Sequence, residues 1–144
     1  MGHSGISIRQ ARVDDELSVN SLARLLATTF SIEDDVFKKL FNQIIDNDDA
    51  RIHVSTDELG AINGYLLGFV HDAFFANGTV AWIEEMYVSE TARRNGIGLA
   101  LEREFEAWAR DRDSKLIALA TRRAVSFYSA VGYEESAVYL RRIL

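Results

Sequence analysis

The sequence predicts a mixed α/β (α+β) fold, in which a mainly antiparallel central sheet is flanked by helices. In the first half, short strand-like segments are separated by turn signals, which is typical of an antiparallel meander. In the second half, strand and helix periods alternate, which is typical of strands joined by helices. With 144 residues, 48% of them hydrophobic, the chain is long enough for one compact core and too short for two ordinary domains. We therefore expect residues 1–144 to form one domain.

In the first half, hydrophobic spacing predicts four strands and two helices. The strands are expected over residues 6–11, 51–56, 62–71 and 79–88. The helices are expected over residues 14–30 and 32–46. Ser31 is a candidate cap for the second helix, and Ala76-Asn77-Gly78 turns the chain into the fourth strand.

The second half contains a long amphipathic helix, predicted over residues 96–112. Its apolar positions recur at intervals of four, four and three, at Ile97, Leu101, Phe105 and Trp108. Further elements are expected as a strand over 116–120, a short helix over 122–130 and a final strand or strands over 133–144. Gly132 is a candidate left-handed stop for the short helix.

The segment Arg93-Arg94-Asn95-Gly96-Ile97-Gly98 leads directly into this long helix and indicates an anion site. Its two glycines allow a positive φ and a close approach of the backbone to a ligand. The first amides of a helix have no internal partners and attract anions, and two arginines stand beside them. Together these groups suit a pyrophosphate. An ordinary glycine-rich turn at a surface helix is the alternative.

Better-known nucleotide motifs do not fit. The dinucleotide fingerprint needs a third glycine, and Leu101 occupies that position, which argues against a nicotinamide or flavin cofactor. A Walker loop needs Gly-Lys followed by Ser or Thr, which occurs nowhere in the chain.

The hexapeptide resembles the Arg/Gln-x-x-Gly-x-Gly/Ala signature of the GNAT superfamily of acyl-CoA N-acyltransferases. Arg93, Gly96 and Gly98 stand at the signature positions, and an apolar strand over 81–88 ends just before them. Phe127-Tyr128 followed by Val131-Gly132-Tyr133 is similar to the family's late helix-to-strand segment. The resemblance spans residues 5–144. It implies a GNAT-like fold and direct transfer of an acetyl group from acetyl-CoA to a primary amine, without a metal.

The resemblance also implies a set of residues that bind acetyl-CoA. They are Met86, Val88, Arg93, Arg94, Asn95, Gly96, Gly98, Leu99 and Thr121. Met86 and Val88 would offer backbone hydrogen bonds to the pantetheine arm, and the loop residues would surround the phosphates. Thr121 departs from the pattern, because many members place an asparagine there.

Transfer to an amine requires a base, since an amine resembling lysine has a pKa of about 10.4 and is mostly protonated at neutral pH. Glu84 and Glu85 interrupt an apolar strand, and adjacent strand residues point to opposite faces. The resemblance favours Glu84 as the catalytic residue, although a local bulge would exchange the two orientations. Glu85, a water relay and a merely solvated strand end are the alternatives.

Tyr128 matches the tyrosine that the family often places near the cofactor sulfur, where it can hydrogen-bond to the leaving thiolate. Since one step along a helix turns a side chain by about 100°, we expect Tyr128 to face the cleft and Phe127 to pack inward. A tyrosine packed only for its ring is the alternative.

Composition excludes several other classes. The chain has no cysteine, which rules out disulfides, thiolate metal sites and a cysteine acyl-enzyme and favours the cytoplasm. A net charge of −6 disfavours nucleic-acid binding. No apolar run is long enough to cross a bilayer, and His53 and His71 lie in no ligand cluster. Residues 1–4 are interpreted as a cloning remnant or a disordered start.

The identity of the acceptor stays open at this level. A small-molecule amine is our first expectation, with recognition assigned to residues 30–41 and 73–78, where no motif occurs. A protein or peptide N-acetyltransferase is one alternative, and a non-catalytic acyl-CoA sensor or interaction module is another. Apolar strand edges also suggest a homodimer.

Overall fold

The computed structural model describes residues 5–144 and contains five strands and four α-helices. The strands are β1 (Ser7–Gln10), β2 (Ala50–Thr56), β3 (Ile62–Ala73), β4 (Gly78–Val88) and β5 (Ser114–Leu119). The helices are α1 (Glu16–Leu26), α2 (Asp34–Ile45), α3 (Ile97–Asp111) and α4 (Val125–Ala130). The interpretation of residues 1–4 as a remnant or a disordered start lies outside the described residues.

The strands form one sheet in the order β1-β2-β3-β4-β5. The pairs β1–β2, β2–β3 and β3–β4 are antiparallel, and β5 runs parallel to β4. Strand β5 can run parallel to β4 because the segment that joins them contains α3, which crosses over from the end of one strand to the start of the next. The predicted fold class, a mainly antiparallel mixed sheet flanked by helices, is confirmed.

Hydrophobic side chains form a core on each face of the sheet. On one face α3 packs its predicted stripe, with Leu101 and Phe105 fully buried against Leu66 and Ile83. On the other face α1 and α2 pack against β2 and β3, around side chains such as Val19, Phe41, Val54 and Tyr65. The two cores alternate along β3 because successive strand residues point to opposite faces.

A β-bulge interrupts β4 at Glu84. Leu67 pairs with Glu85, whereas the next residue of β3, Gly68, pairs with Ile83, so Glu84 is an extra residue in β4. The extra residue reverses the alternation that follows it. As a result Glu85 shares a face with Leu67, on the side of α1 and α2, and Met86 returns to the α3 side.

Pairing between β4 and β5 ends just before this bulge. The parallel register runs from Thr79 and Ser114 to Ile83 and Leu119. Beyond Ile83, β4 continues to Val88 with no strand on that side among residues 5–144. The two strands therefore diverge, and we call the space bordered by residues 84–88, the start of α3 and α4 the β4–β5 cleft.

Two local predictions are wrong. The residue that precedes α2 in the N-cap position is Glu33, not Ser31, and it makes no side-chain capping bond. Residues 133–144 were expected to form a final strand or strands, but no strand or helix occurs there. Side-chain contacts hold this tail instead: Tyr139 stacks on Trp82 with ring centroids 6.5 Å apart, and Arg141 donates to Thr29 Oγ1 at 3.1 Å.

Across residues 5–144, no helix combines the length and the apolar character needed to cross a membrane.

The absence of a side chain at Gly68 allows α3 to pack closely on the sheet. We therefore expect substitution of Gly68 to lower the stability of the protein. A Cβ at this position would lie 2.2 Å from the Phe105 ring and 2.9 Å from the Trp82 carbonyl oxygen. Since Phe105 is fully buried and cannot move aside, we expect Gly68→Ala to lower the free energy of unfolding by about 3 kcal/mol. Urea denaturation would measure the loss.

Gly78→Ala is the matched control. Its added Cβ would meet only the flexible chain of Lys115, at 3.0 Å, so we expect a change within about 0.5 kcal/mol. Equal effects of the two substitutions would contradict close packing of Phe105 on Gly68.

Candidate active site

The start of α3 exposes backbone amides to the β4–β5 cleft. Gly96 adopts a φ of 84° at the N-cap position, as the glycine-rich turn predicted, and the Ala100 amide donates to its carbonyl at 3.0 Å. This is the first bond of the helix, so the amides of Ile97, Gly98 and Leu99 have no intrahelical acceptor. Arg94 is also left-handed, with a φ of 68°. Three adjacent amides at a helix start form an anion site.

The two arginines of the loop differ in their contacts. Arg93 donates from Nε to the Val88 carbonyl oxygen at 3.0 Å, and its guanidinium carbon lies 5.1 Å from the centre of the Tyr87 ring. It ties the loop to the end of β4. Arg94 is exposed and takes part in no ion pair within residues 5–144. Asn95 braces the loop from within, since its Nδ2 donates to the Ala92 carbonyl at 3.2 Å.

The backbone of Met86 and Val88 faces the cleft. The Ser89 amide donates to the Asn63 carbonyl of the neighbouring chain segment at 2.8 Å. Because bonded pairs alternate along an antiparallel ladder, the backbone groups of Tyr87 also face β3, and those of Met86 and Val88 face away from it. The bond from Arg93 to the Val88 carbonyl fits this orientation. The two amides and the Met86 carbonyl are therefore oriented toward the side where β5 has diverged.

Tyr128 and Phe127 form the opposite wall. The Tyr128 side chain is 8% exposed and lies edge-on to Phe127 and Tyr133, with ring centroids 5.0 and 5.4 Å away. Phe127 is only partly buried, and a Cβ added to Gly98 would meet its ring at 3.4 Å. Tyr128 is the more deeply buried of the two, and Phe127 also packs against the core on the α3 side. That the Tyr128 hydroxyl faces the cleft stays a prediction.

Burial raises the pKa of Tyr128 to about 12, and the charge of Glu102 acts in the same direction. The hydroxyl is therefore protonated at neutral pH and available as a hydrogen-bond donor. Thr121, at the entrance to α4, uses its Oγ1 to accept the Ala124 amide at 3.0 Å. That bond stabilises the turn before α4, and a contact of Thr121 with a cofactor stays a prediction.

A buried carboxylate supports this wall, and sequence reasoning missed it. Glu102 of α3 is 2% exposed, and its Oε2 accepts the Tyr133 hydroxyl at 2.7 Å. Burial raises the pKa of Glu102. Its burial could have been suspected from the sequence, because Glu102 lies three residues before Phe105, at the edge of the apolar stripe of the helix.

The two adjacent glutamates of β4 occupy different environments. The side chain of Glu84, at the bulge, is exposed. Glu85 is partly buried, and its Oε1 accepts the hydroxyl of the fully buried Tyr65 at 2.7 Å. Burial raises the pKa of Glu85, the charge of Glu84 adds to the rise, and the bond from Tyr65 opposes it. The bulge has exchanged the orientations that simple alternation predicts.

The two strand histidines lie in different environments. His53 is 4% exposed and its Nδ1 has no hydrogen-bond partner; burial, together with the charge of Arg51, lowers its pKa to about 4, so it is neutral at pH 7. His71 is exposed near the end of β3. In the described part of the chain, no group of three or more candidate ligands comes together.

Comparison with known proteins agrees with this geometry. The model of the Acetyltransferase (GNAT) family matches residues 19–133. An acetyltransferase from Trypanosoma brucei superposes with a TM-score of 0.83 at 19% identity, covering 96% of this chain and 99% of that one. Glucosamine-6-phosphate N-acetyltransferase from Arabidopsis thaliana gives 0.85 at 21% identity, covering 96% and 97%. An aminoglycoside acetyltransferase from an uncultured soil metagenomic sample gives 0.81 at 19% identity, covering 98% and 97%. No curated protein sequence matches significantly.

The family match covers well over half of the chain, so this protein belongs to the GNAT acetyltransferase family. The resemblance inferred from Arg93, Gly96 and Gly98 is confirmed. At identities near 20%, the solved structures confirm the fold alone.

Glu102 generates a prediction about pH and stability. Because its pKa is higher in the folded than in the unfolded state, the folded protein binds the proton more tightly, and stability falls as pH rises above the ordinary value of 4.5. Glu102→Gln removes this loss and keeps an acceptor for Tyr133. We therefore expect the difference in free energy of unfolding between the variant and the unaltered protein to shift in favour of the variant as the pH rises from about 4 to about 8. Urea unfolding at each pH would measure this difference.

Tyr133→Phe provides the comparison. It deprives the buried carboxylate of its donor and should cost about 1–3 kcal/mol, more at neutral than at acidic pH. Stability curves for Glu102→Gln and the unaltered protein that run parallel with pH would show that Glu102 does not titrate abnormally.

Proposed function

We propose that this protein is an N-acetyltransferase that transfers an acetyl group from acetyl-CoA directly to a primary amine of a small molecule. The observation that carries the proposal is the divergence of β4 from β5, which opens a cleft with the free amides of α3 at one end and two glutamates at its border. Membership of the GNAT acetyltransferase family supports the reaction class. The small-molecule acceptor is supported by the neighbours named for glucosamine-6-phosphate and aminoglycosides.

The cleft has the donors that acetyl-CoA requires. The amides of Ile97, Gly98 and Leu99, with Arg94 beside them, would hold the pyrophosphate. The outward backbone groups of Met86 and Val88 would bond to the amides of the pantetheine arm. When bound, acetyl-CoA supplies the thioester carbonyl that the amine attacks.

Two groups of this chain would handle the protons. The amine nitrogen forms a bond to the thioester carbon and gives a proton to a base, while the carbon–sulfur bond breaks and the sulfur leaves as a thiolate. We assign hydrogen bonding to that thiolate to the protonated hydroxyl of Tyr128. Deprotonating the amine at neutral pH costs roughly 4 kcal/mol, so the base has the larger task.

The resemblance implied Glu84 as the base. The environments of the two side chains support Glu85 instead. A carboxylate whose pKa is raised by burial is a stronger base than an exposed one, and Glu85 is held in place by Tyr65. Catalysis by Glu84, a cytoplasmic location and a homodimer stay predictions.

Substitution of the two glutamates tests the assignment. We expect Glu85→Gln to lower kcat by about 100-fold with acetyl-CoA and a responsive amine, because the amide cannot accept the proton. Glu84→Gln should lower kcat by less than about ten-fold. Thiol release, with product mass as confirmation, would measure both.

The reverse ranking would restore Glu84 as the base. Tight binding of acetyl-CoA without turnover across polyamines, amino acids, aminoglycosides and peptides would instead indicate a binding module. Turnover of peptides alone would indicate a peptide acetyltransferase.

The donor site predicts an asymmetry between glycine and strand substitutions. Gly96→Ala forces a left-handed φ on a residue with a Cβ and should displace the loop, raising the KM for acetyl-CoA about ten-fold or more. Met86→Leu keeps the backbone groups that would bind the donor, so the KM should change by less than about two-fold. Steady-state kinetics at saturating amine would measure both, and equal effects would argue against binding through the backbone.

A further inference from the structure

We infer that the acceptor is a primary amine carrying a short apolar chain or ring, which binds in the cavity between α1, α2 and the sheet with its ammonium or amino group at Glu85. This inference rests on the proposed function and names the substrate class for the same site. It is carried by the composition of the cavity, by the position of its single carboxylate and by its size.

The cavity has a nearly continuous apolar wall. Helices α1 and α2 contribute six of its lining residues and strands β2, β3 and β4 contribute four. They are Val19, Ala23, Phe37, Leu40, Phe41, Ile44, Ile52, Tyr65, Leu67 and Glu85. A hydroxyl buried against such a wall would find few partners, and an unsatisfied polar group is costly, so sugars and other polyhydroxylated amines are poor occupants.

Glu85 is the one carboxylate among these residues. Its Oε1 is occupied by the Tyr65 hydroxyl, whereas within residues 5–144 no hydrogen bond engages Oε2. A cationic or neutral amine would supply the missing donor. A second amino group at the far end of the ligand would have no such partner, which separates monoamines from diamines.

Strand β4 connects this cavity to the donor cleft. Glu85 points to the α1 and α2 side because of the bulge, and the next residue, Met86, turns its backbone toward the cleft. An amine held at Glu85 is therefore next to the segment that would bind the pantetheine arm.

The cavity is small, and one of its lining side chains is also exposed at the surface. Its volume is 110 Å³. Apolar cavities of roughly 150 Å³ bind benzene, so this one suits about four or five carbon atoms. Leu40 lines the cavity and is 49% exposed, so it is a cavity residue that also lies at the protein surface.

A series of linear amines tests the inference with the complete protein and acetyl-CoA. From propylamine to pentylamine, we expect kcat/KM to rise about four-fold for each added methylene, equivalent to about 0.8 kcal/mol of apolar burial. Two compounds have the same chain as pentylamine with a polar group at its far end: 5-amino-1-pentanol and 1,5-diaminopentane. Their kcat/KM should be at least about ten-fold lower than that of pentylamine. A preference for the diamine, the amino alcohol or glucosamine would overturn the inference.

Exposed leucines provide matched variants that should fold. Leu40→Asn places an amide in the lining of the cavity, and we expect it to lower kcat/KM for pentylamine about ten-fold without changing the KM for acetyl-CoA. Leu25→Asn makes the same change at a residue of α1 that is 65% exposed and does not line the cavity, and should have less than a two-fold effect. Equal losses would overturn the inference.

Direct binding separates this inference from the proposed function. Saturation-transfer NMR of pentylamine, without acetyl-CoA, should show contact with the protein that Glu85→Gln and Leu40→Asn weaken. Binding without any acetyl transfer would support the cavity and overturn the proposed function. Transfer to polar amines, with no dependence on chain length and no binding of pentylamine, would support the proposed function and overturn the inference.

Discussion

The structure depends above all on the separation of β4 from β5 after Ile83. A parallel pair that stayed in register to Val88 would bond the backbone of Met86 and Val88 to β5 and close the cleft. Divergence leaves those groups oriented toward a space that the start of α3 and the aromatic side chains of α4 border. The bulge at Glu84 lies at the point of divergence. A single extra residue therefore accompanies both the opening of the cleft and the reversal of side-chain orientation beyond it.

That reversal connects the two faces of the sheet. Glu85 reaches the cavity beneath α1 and α2, while Met86 packs with the α3 side. In the proposed reaction the donor lies in the cleft beside β4, and the acceptor amine approaches it from the α1 and α2 side. Without the bulge, alternation would place Glu84 instead of Glu85 opposite Leu67, on the side of α1 and α2.

Polar contacts hold the walls of the cleft in place. Tyr133 bonds to Glu102 beneath Tyr128, and Arg93 bonds to the end of β4. A buried carboxylate is costly unless it is hydrogen-bonded, so the bond from Tyr133 offsets part of the desolvation of Glu102. The same bond fixes the segment just after α4. These contacts position side chains that would meet the donor.

The sequence by itself determined the sheet and helices, the family and the glycine turn at Gly96, because these follow from local period and from backbone freedom at one residue. It did not determine which glutamate is buried, since a bulge shifts register without leaving a local signal. It also could not show that Tyr128 lies deeper than Phe127, that Glu102 is paired, or that residues 133–144 form no strand. Each of these depends on which distant side chains meet, and only the tertiary structure decides that.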